Sequence, residues 1–475
     1  MMVRSLRQHL RPFWDPFPPF PHRFIFMHDS TPKTDSQVPG ANRRDFLSRG
    51  TLAAAGTVAA STLSVAQAAN AIGSDTIRVG VVGCGGRGTG AAIQALNTTG
   101  GGVELVAMAD VFQDNLDTAL NTITNQHQDK VKVNDNRFVG CDAYQQVLET
   151  DCDFVILATP PGFRPLHFEK AIEAGKHVFM EKPVASDVPG VKRVLKANEM
   201  AKEKGLGVQV GLQRRHEFRY NETIDKLKNG AIGDINFCRA YWNGSGVWIR
   251  PRKKEMTELE YQMRNWYYFN WLCGDHITEQ HIHNLDVINW LADSHPVEAQ
   301  GVGGRQVRTG PNTGQIYDHH MVEYTYPNGM KMLSECRHIR GCWNAVSEHA
   351  HGSKGTCDIS KALIMDTQGN EVWQSDAEEA NGKGWQQEHY DFFEALRKGE
   401  RPNEVQYGAE STMTSILGRI ATYTGDVVKW DDAMENGKSL ADFDSLHSFD
   451  DEAPIQPDRE GNYEVPMPGQ YKWKA

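Results

Sequence analysis

Three ionisable residues stand where they could move a proton during the oxidation of an alcohol. Lys182 lies in the tripeptide Glu181-Lys182-Pro183, and Glu279 precedes His283 by four residues. On one continuous helix, a carboxylate four residues before a histidine can orient the imidazole and raise its pKa toward neutrality. His283 is therefore a candidate general acid–base, and Glu279 is its candidate partner.

The histidines of this stretch allow two other interpretations. His276, His281, His283 and Glu279 are of the residue types that bind metal ions. However, His281 and His283 are two residues apart on the helix predicted over 277–292, so they point in different directions and no metal site is predicted. A polar helix with a hydrogen-bonded core histidine would give the same pattern.

A glycine-rich turn indicates a second kind of chemistry, the binding of a dinucleotide. Gly83, Gly85 and Gly88 form G-x-G-x-x-G directly after a β-branched run and before a helix-like run. The first glycine permits the tight turn, the second lets the backbone approach the pyrophosphate, and the third lets helix and strand pack closely. Gly86 and Arg87 lie within the loop, and Arg87 is a candidate contact of the pyrophosphate or of a 2′-phosphate.

Asp110 ends the next predicted strand, about 20 residues after the third glycine, where a dinucleotide fold places the carboxylate that binds the ribose 2′-hydroxyl. A carboxylate there repels a 2′-phosphate, so the predicted cofactor is NAD, with NADP less favoured. Asp110 could instead cap the helix that follows. Thr159 and Pro160 follow another predicted strand and join the predicted cofactor site with Glu181 and Lys182.

These residues need a scaffold that brings distant strand ends together. Over 75–212, strand-like runs alternate with helix-like runs, a pattern typical of a doubly wound parallel sheet of the Rossmann type. In such sheets ligands bind beyond the carboxyl ends of the strands. Arg214, Arg215 and His216 follow the last of these strands and are candidate substrate ligands, with an interdomain ion-pair network as the alternative.

The rest of the chain is predicted to form a second domain of the α+β class over 213–440, followed by an extended arm over 441–475. Alternating strand-like segments over 297–336 favour an open, mostly antiparallel sheet. The aromatic residues over 241–271, with Trp266 as a candidate substrate residue, suit either the faces of sugar rings or a sheet packed on the first domain. The proline- and acid-rich arm could lie on a neighbouring subunit.

The glycine loop, Ala158-Thr159-Pro160-Pro161 and Glu181-Lys182-Pro183 resemble the Gfo/Idh/MocA family, which includes glucose–fructose oxidoreductase and inositol 2-dehydrogenase. The resemblance covers about 75–440. It implies that Lys182 hydrogen-bonds the substrate hydroxyl that becomes a carbonyl, and that Glu181 lies beside the nicotinamide ribose. It also implies that the second sheet covers the nicotinamide and often forms the subunit interface. In the family an aspartate usually precedes the histidine by four residues, where this chain has the longer Glu279.

Composition restricts the partners. The 475 residues include 50 Lys and Arg and 61 Asp and Glu, a net charge of −11, which argues against nucleic acid or an anionic membrane as the main partner. The 8 cysteines are too sparse for a disulfide scaffold, although Cys336 and Cys342 could pair in an oxidising compartment. We expect a sugar or polyol substrate, a homo-oligomer, and no integral membrane segment in the mature chain.

Residues 1–69 are predicted to be an N-terminal extension that carries an export signal. Arg43 and Arg44 precede an uncharged run of small residues, and Val65-Ala66-Gln67-Ala68 is typical of a cleavage site. This order is typical of a twin-arginine signal, so the mature protein is expected in the periplasm or cell envelope. A cofactor that dissociated there would be lost, and a tightly held NAD that is regenerated in place is therefore expected.

Three functions compete on this basis. The first is an oxidoreductase that transfers a hydride between NAD(P) and a carbinol carbon of a sugar or polyol. The second is a glycosidase in which bound NAD oxidises the sugar transiently before elimination and re-reduction. The third is a non-catalytic sugar-binding protein with a vestigial nucleotide fold, and the intact glycine loop, Asp110 and Lys182 weigh against it.

Overall fold

Two β-sheets organise the chain, and helices pack against both. The structure is a computed structural model that describes residues 76–379 and 383–475. The export signal predicted within residues 1–69 lies outside the described residues. In the two described ranges, no helix combines the length and the apolar character needed to cross a membrane.

The first sheet contains six parallel strands in the order β3-β2-β1-β4-β5-β6. Its strands are β1 (Thr76–Val82), β2 (Gly102–Asp110), β3 (Arg137–Val139), β4 (Phe154–Leu157), β5 (His177–Met180) and β6 (Val208–Val210). The helices between them are α1 (Gly86–Leu96), α2 (Gln113–His127), α3 (Ala143–Leu148), α4 (Arg164–Glu173) and α5 (Val188–Glu203). The strand order reverses at β1 and β4, which creates a ligand crevice at their carboxyl ends. The predicted Rossmann sheet is confirmed.

The second sheet has nine strands in the order β14-β13-β12-β11-β7-β10-β9-β8-β15. These strands are β7 (Ile235–Gly244), β8 (Glu298–Gly304), β9 (His319–Thr325), β10 (Lys331–His338), β11 (Ala345–Gly352), β12 (Gly355–Asp358), β13 (Leu363–Asp366), β14 (Glu371–Gln374) and β15 (Val428–Lys429). Neighbours are antiparallel except for β7 and β10, which are parallel. The predicted mostly antiparallel sheet is therefore confirmed.

Eight further helices follow β6 in the described residues, and α12 packs against elements of both domains. They are α6 (Phe218–Lys228), α7 (Glu258–Arg264), α8 (Asn270–Cys273), α9 (His276–Glu279), α10 (Ile282–Ala292), α11 (Lys383–Arg397), α12 (Val405–Thr424) and α13 (Trp430–Asn436). Helix α12 is almost entirely buried because it packs against α5 on one side and against β8 and β9 on the other. At Gly418 a side chain would meet the hydroxyl of Tyr324 at 2.0 Å, so only glycine allows this approach.

Helix α11 returns from the second half of the chain to cover the first sheet. Its Phe392 and Phe393 lie against Phe154 of β4, with ring centroids 5.6 and 5.0 Å away. These two rings belong to the same buried cluster as the apolar residues of β1 and β2. The nucleotide domain therefore completes its core with a helix that lies far away in sequence.

The C-terminal arm packs against its own chain, and its suggested contact with a neighbouring subunit stays a prediction. The ring of Phe449 stacks on Phe112 at 5.3 Å, and the hydroxyl of Tyr463 donates to Glu258 at 2.7 Å. The arm binds here because its apolar side chains become buried against α7 and α8. The suggested disulfide is wrong: Cys336 is buried, Cys342 is exposed, and both are free thiols.

Candidate active site

The glycine loop between β1 and α1 borders open space at two of its glycines. Gly83 has φ of +96°, and a Cβ there would lie 2.6 Å from the backbone of Ala158 and Thr159. At Gly85 and Gly86 an added Cβ would meet nothing within 4 Å. The amides at the start of α1 have no partners within the helix and can bind an anion.

Gly88 serves packing, as its predicted role requires. A Cβ at this position would lie 1.8 Å from the carbonyl oxygen of Gly83, so α1 could not approach β1 with any larger residue. Gly88 does not line the cavity described below, whereas Gly83, Gly85, Gly86 and Arg87 do.

Asp110 lies at the end of β2 and faces the same space. Its Oδ2 accepts the amide of Cys84 at 2.7 Å, while Oδ1 accepts the amide of Phe112 at 2.8 Å and the side chain of Asn115 at 3.2 Å. Burial raises the pKa of this carboxyl. Asp110 thus ties the glycine loop to the residue before α2 and also lines the cavity, and its contact with a ribose hydroxyl stays a prediction.

A cavity of about 590 Å³ joins the glycine loop to the second domain. Most predicted site residues line it: Gly83, Gly85, Gly86, Arg87, Asp110, Thr159, Pro160, Glu181, Lys182, Trp266, Glu279 and His283. The carboxyl ends of β1, β2, β4 and β5 supply the residues of the first domain, as expected for a doubly wound sheet. Residues of α7, α9 and α10 supply much of the opposite wall.

Lys182 is held by Glu279 across the cavity. Its Nζ donates to the backbone oxygen of Glu279 at 2.6 Å and to the Oε1 of the same residue at 3.1 Å. Both side chains are largely buried, with 11% and 14% of their surface exposed. Beside them Glu181 pairs with Arg87 at 2.8 Å. The ammonium group is therefore fixed within the cavity and not free to rotate.

The predicted partnership between Glu279 and His283 is wrong, because the helix over 277–292 is interrupted. Helix α9 ends at Glu279 and α10 begins at Ile282. The amide of His281 bonds the carbonyl of His276, five residues back, instead of continuing the regular pattern. The carboxylate of Glu279 therefore turns to Lys182, and no hydrogen bond joins it to His283 among the described contacts.

His283 keeps its place in the cavity but is a neutral imidazole. Burial, with the nearby charges of Lys182 and Arg214, holds its pKa well below the usual value. The expected shift toward a higher pKa is thus corrected. Its ring lies 5.9 Å from Trp242 and nearly parallel to it. Its Nδ1 is buried and has no hydrogen-bond partner among the described residues.

The predicted substrate roles of Arg214, Arg215 and His216 are also wrong, since none of the three lines the cavity. Arg214 forms a buried ion pair with Glu348, and Arg215 binds Asp286 at 2.8 Å. The three side chains join elements of both domains through these partners, as the alternative interpretation proposed. Their charged groups pair with acids of this network instead of lining the cavity.

His216 has its own pair of carboxylates. Its Nδ1 lies 2.6 Å from Asp391 on α11, and its Nε2 lies 3.2 Å from Glu404. Although burial opposes the charged form, the two acids raise the pKa of His216 to about 10. His216 is therefore a cation that ties α11 to the end of the first sheet.

Sequence reasoning missed Arg164, which joins two loops of the cavity. This residue is 2% exposed. Its guanidinium donates to the carbonyl oxygen of Pro183 at 2.6 Å and also to the carbonyl oxygen of Thr159. It fixes the loop after β4 relative to the loop that carries Lys182. No local pattern marked it, because an arginine in the first turn of a helix is ordinarily a surface residue.

The histidines considered as metal ligands do not converge. His281 bonds Ser334 at 2.7 Å, away from His283 in the cavity. A different buried cluster, Asp275, His276 and His320, brings possible ligand atoms within 4.8 Å of one another. Its carboxylate is already satisfied by hydrogen bonds from His276 at 2.8 Å, and from the Tyr317 amide and Tyr423 hydroxyl at 2.9 and 2.6 Å. Although burial opposes it, His320 and His276 hold the pKa of Asp275 well below its usual value. In the same cluster, Nε2 of His276 and Nε2 of His320 have no hydrogen-bond partner among the described residues.

A Rossmann sheet joined to an open antiparallel sheet, with the glycine loop at the cavity between them, defines a two-domain dinucleotide-binding protein. Residues 77–212 match the model described as the oxidoreductase family with an NAD-binding Rossmann fold, and residues 220–358 match the GFO/IDH/MocA C-terminal domain. Together the two matches cover more than half of the chain, which therefore belongs to the Gfo/Idh/MocA family.

Curated relatives include dehydrogenases and glycosidases. An inositol 2-dehydrogenase of Gluconacetobacter diazotrophicus is 31% identical over 232 residues, 49% of this chain and 59% of the relative. A glycosyl hydrolase family 109 protein of Shewanella baltica is 27% identical over 194 residues, 40% of this chain and 39% of the relative. The chain thus spans about half the length of the curated relatives it matches.

Solved structures share the fold over nearly their whole length. The aldose-aldose oxidoreductase of Caulobacter crescentus superimposes with a TM-score of 0.60 at 18% identity, covering 74% of this chain and 99% of that structure. A levoglucosan dehydrogenase in complex with NADH gives a TM-score of 0.60 at 16% identity, with 74% and 99% covered. Identities this low establish a shared fold and no more.

Proposed function

We propose that this protein is an NAD-dependent oxidoreductase that transfers a hydride to or from a CH–OH carbon of a sugar or polyol. One observation carries the proposal: Lys182, Glu279 and His283 line the same cavity as the glycine loop. The names of the relatives agree, since inositol 2-dehydrogenases act on a polyol.

The residues present fit a dinucleotide. The open space before Gly85 and Gly86 admits a pyrophosphate, and the start of α1 offers unused amides to it. Asp110 lines the cavity at the end of β2, where it can accept a ribose hydroxyl. When bound, the nicotinamide accepts or donates the hydride.

The chain's own residues manage the proton. Lys182, fixed by two contacts to Glu279, can donate a hydrogen bond to the substrate oxygen and stabilise negative charge on it. Neutral His283 can take the hydroxyl proton at a ring nitrogen as the hydride leaves the carbon. In the reverse direction the same imidazole returns the proton to the new hydroxyl oxygen.

The experiment is to release and identify the nucleotide from the purified protein, then to follow cofactor absorbance with a panel of sugars and polyols. Lys182→Ala should lower kcat by about 10²- to 10⁴-fold, the usual contribution of a positioned proton-handling group. The nucleotide should remain bound in this variant. A protein that holds no NAD(P), or a Lys182→Ala variant with unchanged turnover, would contradict the proposal.

A second candidate function is glycoside cleavage through transient oxidation of the sugar by bound NAD. The similarity to glycosyl hydrolase family 109 proteins favours it. Such an enzyme releases the aglycone with no net change in cofactor absorbance. Cleavage of a chromogenic glycoside that depends on Lys182 but leaves the nucleotide oxidised at the end would select this function over net dehydrogenation.

Export fits both functions. The twin arginines Arg43 and Arg44 and the segment after them support a folded protein that leaves the cytoplasm with its cofactor already inside. A resident NAD regenerated in place, and a homo-oligomer, belong to this proposal. Cell fractionation with an Arg43→Lys/Arg44→Lys variant tests the route, and light scattering of the mature protein tests the oligomer. A variant that is exported normally would contradict twin-arginine transport.

A further inference from the structure

Tryptophan side chains form an unusual share of the cavity wall. Trp242, Trp248, Trp266 and Trp385 all line the space that contains His283. Trp248 and Trp385 leave 44% and 43% of their surface exposed. Indole rings are usually well covered in folded proteins, so exposed ones beside a site indicate a surface for a ligand.

The loop that carries Trp248 is anchored by hydrogen bonds on both sides of this residue. Asn265 is 1% exposed; it accepts the amide of Arg250 at 2.7 Å and donates to the carbonyl oxygen of the same residue at 3.2 Å. The hydroxyl of Tyr268 donates to the carbonyl oxygen of Val247 at 2.9 Å. The two ends of this short segment are thereby fixed, and Trp248 is presented in a defined position between them.

A second ring and a cation lie next to Trp248. The ring of Trp266 meets it edge to face at 6.2 Å. The guanidinium of Arg250 lies over one face of the Trp248 ring, 5.3 Å from its centre, so a sugar would stack on the opposite face. Within residues 76–379 and 383–475, no carboxylate pairs with this guanidinium, so its donors are left for a ligand. Aromatic faces beside free hydrogen-bond donors match a sugar ring, which presents C–H groups on its faces and hydroxyls at its edge.

We propose that Trp248, Trp266 and Arg250 bind a second sugar ring, so that the substrate is a glycoside or oligosaccharide and not a free monosaccharide or polyol. The inference rests on the proposed function, in which the reacting sugar lies at Lys182 and His283. The ring attached to it by a glycosidic bond then stacks on Trp248. Trp385 adds a further aromatic surface from α11.

The experiment measures binding by calorimetry and does not require turnover. The full mature chain with its nucleotide is titrated with matched pairs: glucose with cellobiose and maltose, galactose with lactose, and mannose with mannobiose. At least one disaccharide should bind about tenfold more tightly than its monosaccharide. Trp248→Ala should lower the affinity for that disaccharide about tenfold. The affinities for the monosaccharide and for NAD should change by less than twofold.

Trp343→Ala is the matched control. Trp343 is also exposed, at 62%, but it packs against Tyr241 and does not line the cavity. This variant should bind every probe as the wild type does. Arg250→Gln should lower only the affinity for the disaccharide, and by a smaller factor than Trp248→Ala does.

Several results would overturn the inference. If both members of every pair bind with equal affinity, or if no sugar of the panel binds, the protein has no site for a second ring. An equal loss for monosaccharide and disaccharide in Trp248→Ala would put this residue at the reacting ring, and a loss of NAD affinity would put it at the cofactor. A protein that binds the disaccharide through Trp248 but contains no nucleotide would refute the proposed function, and only the binding of a second ring would be retained.

Discussion

Glu279 contacts the Lys182 ammonium through two different atoms, its backbone oxygen and its carboxylate. Glu279→Gln removes the charge but keeps the backbone contact, so Lys182 stays in place. We expect kcat to fall about tenfold, less than in Lys182→Ala, because the ammonium keeps only one of its two contacts with Glu279. Single-turnover reduction of bound NAD measures the rate.

The control for this prediction is Glu260→Gln, a change to another partly buried glutamate that pairs with Arg264 and not with Lys182. It should leave kcat unchanged. If Glu260→Gln lowers kcat as far as Glu279→Gln does, the loss in Glu279→Gln does not come from the position of the ammonium.

We expect Asp110, at the end of β2, to favour binding of NAD over NADP. Asp110→Ser removes the charge that would repel a 2′-phosphate, and we expect the ratio of NADPH to NADH affinity to rise at least tenfold, about 1.4 kcal/mol. Fluorescence titration of nucleotide-free protein measures both affinities. Asp114→Asn changes a nearby exposed carboxylate that pairs with Arg264, and it should leave the ratio unchanged. An unchanged ratio in Asp110→Ser would mean that this carboxylate only ties the loop to α2.

At the scale of elements, the C-terminal arm supports the nucleotide end of the cavity. Phe112 lines the cavity, and Phe449 stacks on it from the arm at 5.3 Å. Phe449→Ala removes this support, and we expect NAD to bind about three- to tenfold more weakly, since an aromatic pair contributes about 0.5–1.5 kcal/mol beyond burial. The measurement is the rate of nucleotide loss after rapid dilution.

Tyr471→Ala is the control within the same arm, because Tyr471 packs against Tyr423 of α12 and not against the cavity. A general loosening of the arm would release NAD equally in both variants. Faster release in Phe449→Ala alone supports a specific role for the Phe112–Phe449 stack.

For the whole molecule, buried histidines predict a stability maximum near pH 6.5. Burial lowers the pKa of His167 and His281 to about 3, and of His177 and His276 to about 4. On unfolding these residues take up protons below about pH 6.5, so the free energy of unfolding falls as the pH falls. Each contributes up to about 1.4 kcal/mol per pH unit over this range. Denaturant titrations between pH 5 and 6.5 test the slope.

At pH values above this stability maximum, His216 makes the free energy of unfolding fall as the pH rises. Its pKa of about 10 exceeds the unfolded value, so its contribution is complete below about pH 6.5 and is lost as the pH rises toward 10. His216→Gln should therefore lower stability near pH 6.5 and flatten the decline on the alkaline side, with the acid side unchanged. An alkaline slope equal in both proteins would refute the ion pairs with Asp391 and Glu404.

Local patterns were sufficient for the fold of the first domain and for most of its site. The glycine turn, the alternation of strands and helices, and the strand-end positions of Asp110, Thr159 and Lys182 depend on steric rules that act over a few residues. A parallel sheet then brings its strand ends to one edge whatever the details of packing. The family resemblance carried by Glu181-Lys182-Pro183 extended the fold prediction to the second domain.

Only the tertiary structure decided which charged groups meet. Glu279 is paired with Lys182, 97 residues away, instead of with His283 on the next helix. Arg214, Arg215 and His216 follow a strand that points to the cavity, yet buried acids from other elements bind them. The physical reason is that a buried charge must find a partner. The nearest partner in space depends on how distant elements pack, which no local spacing records.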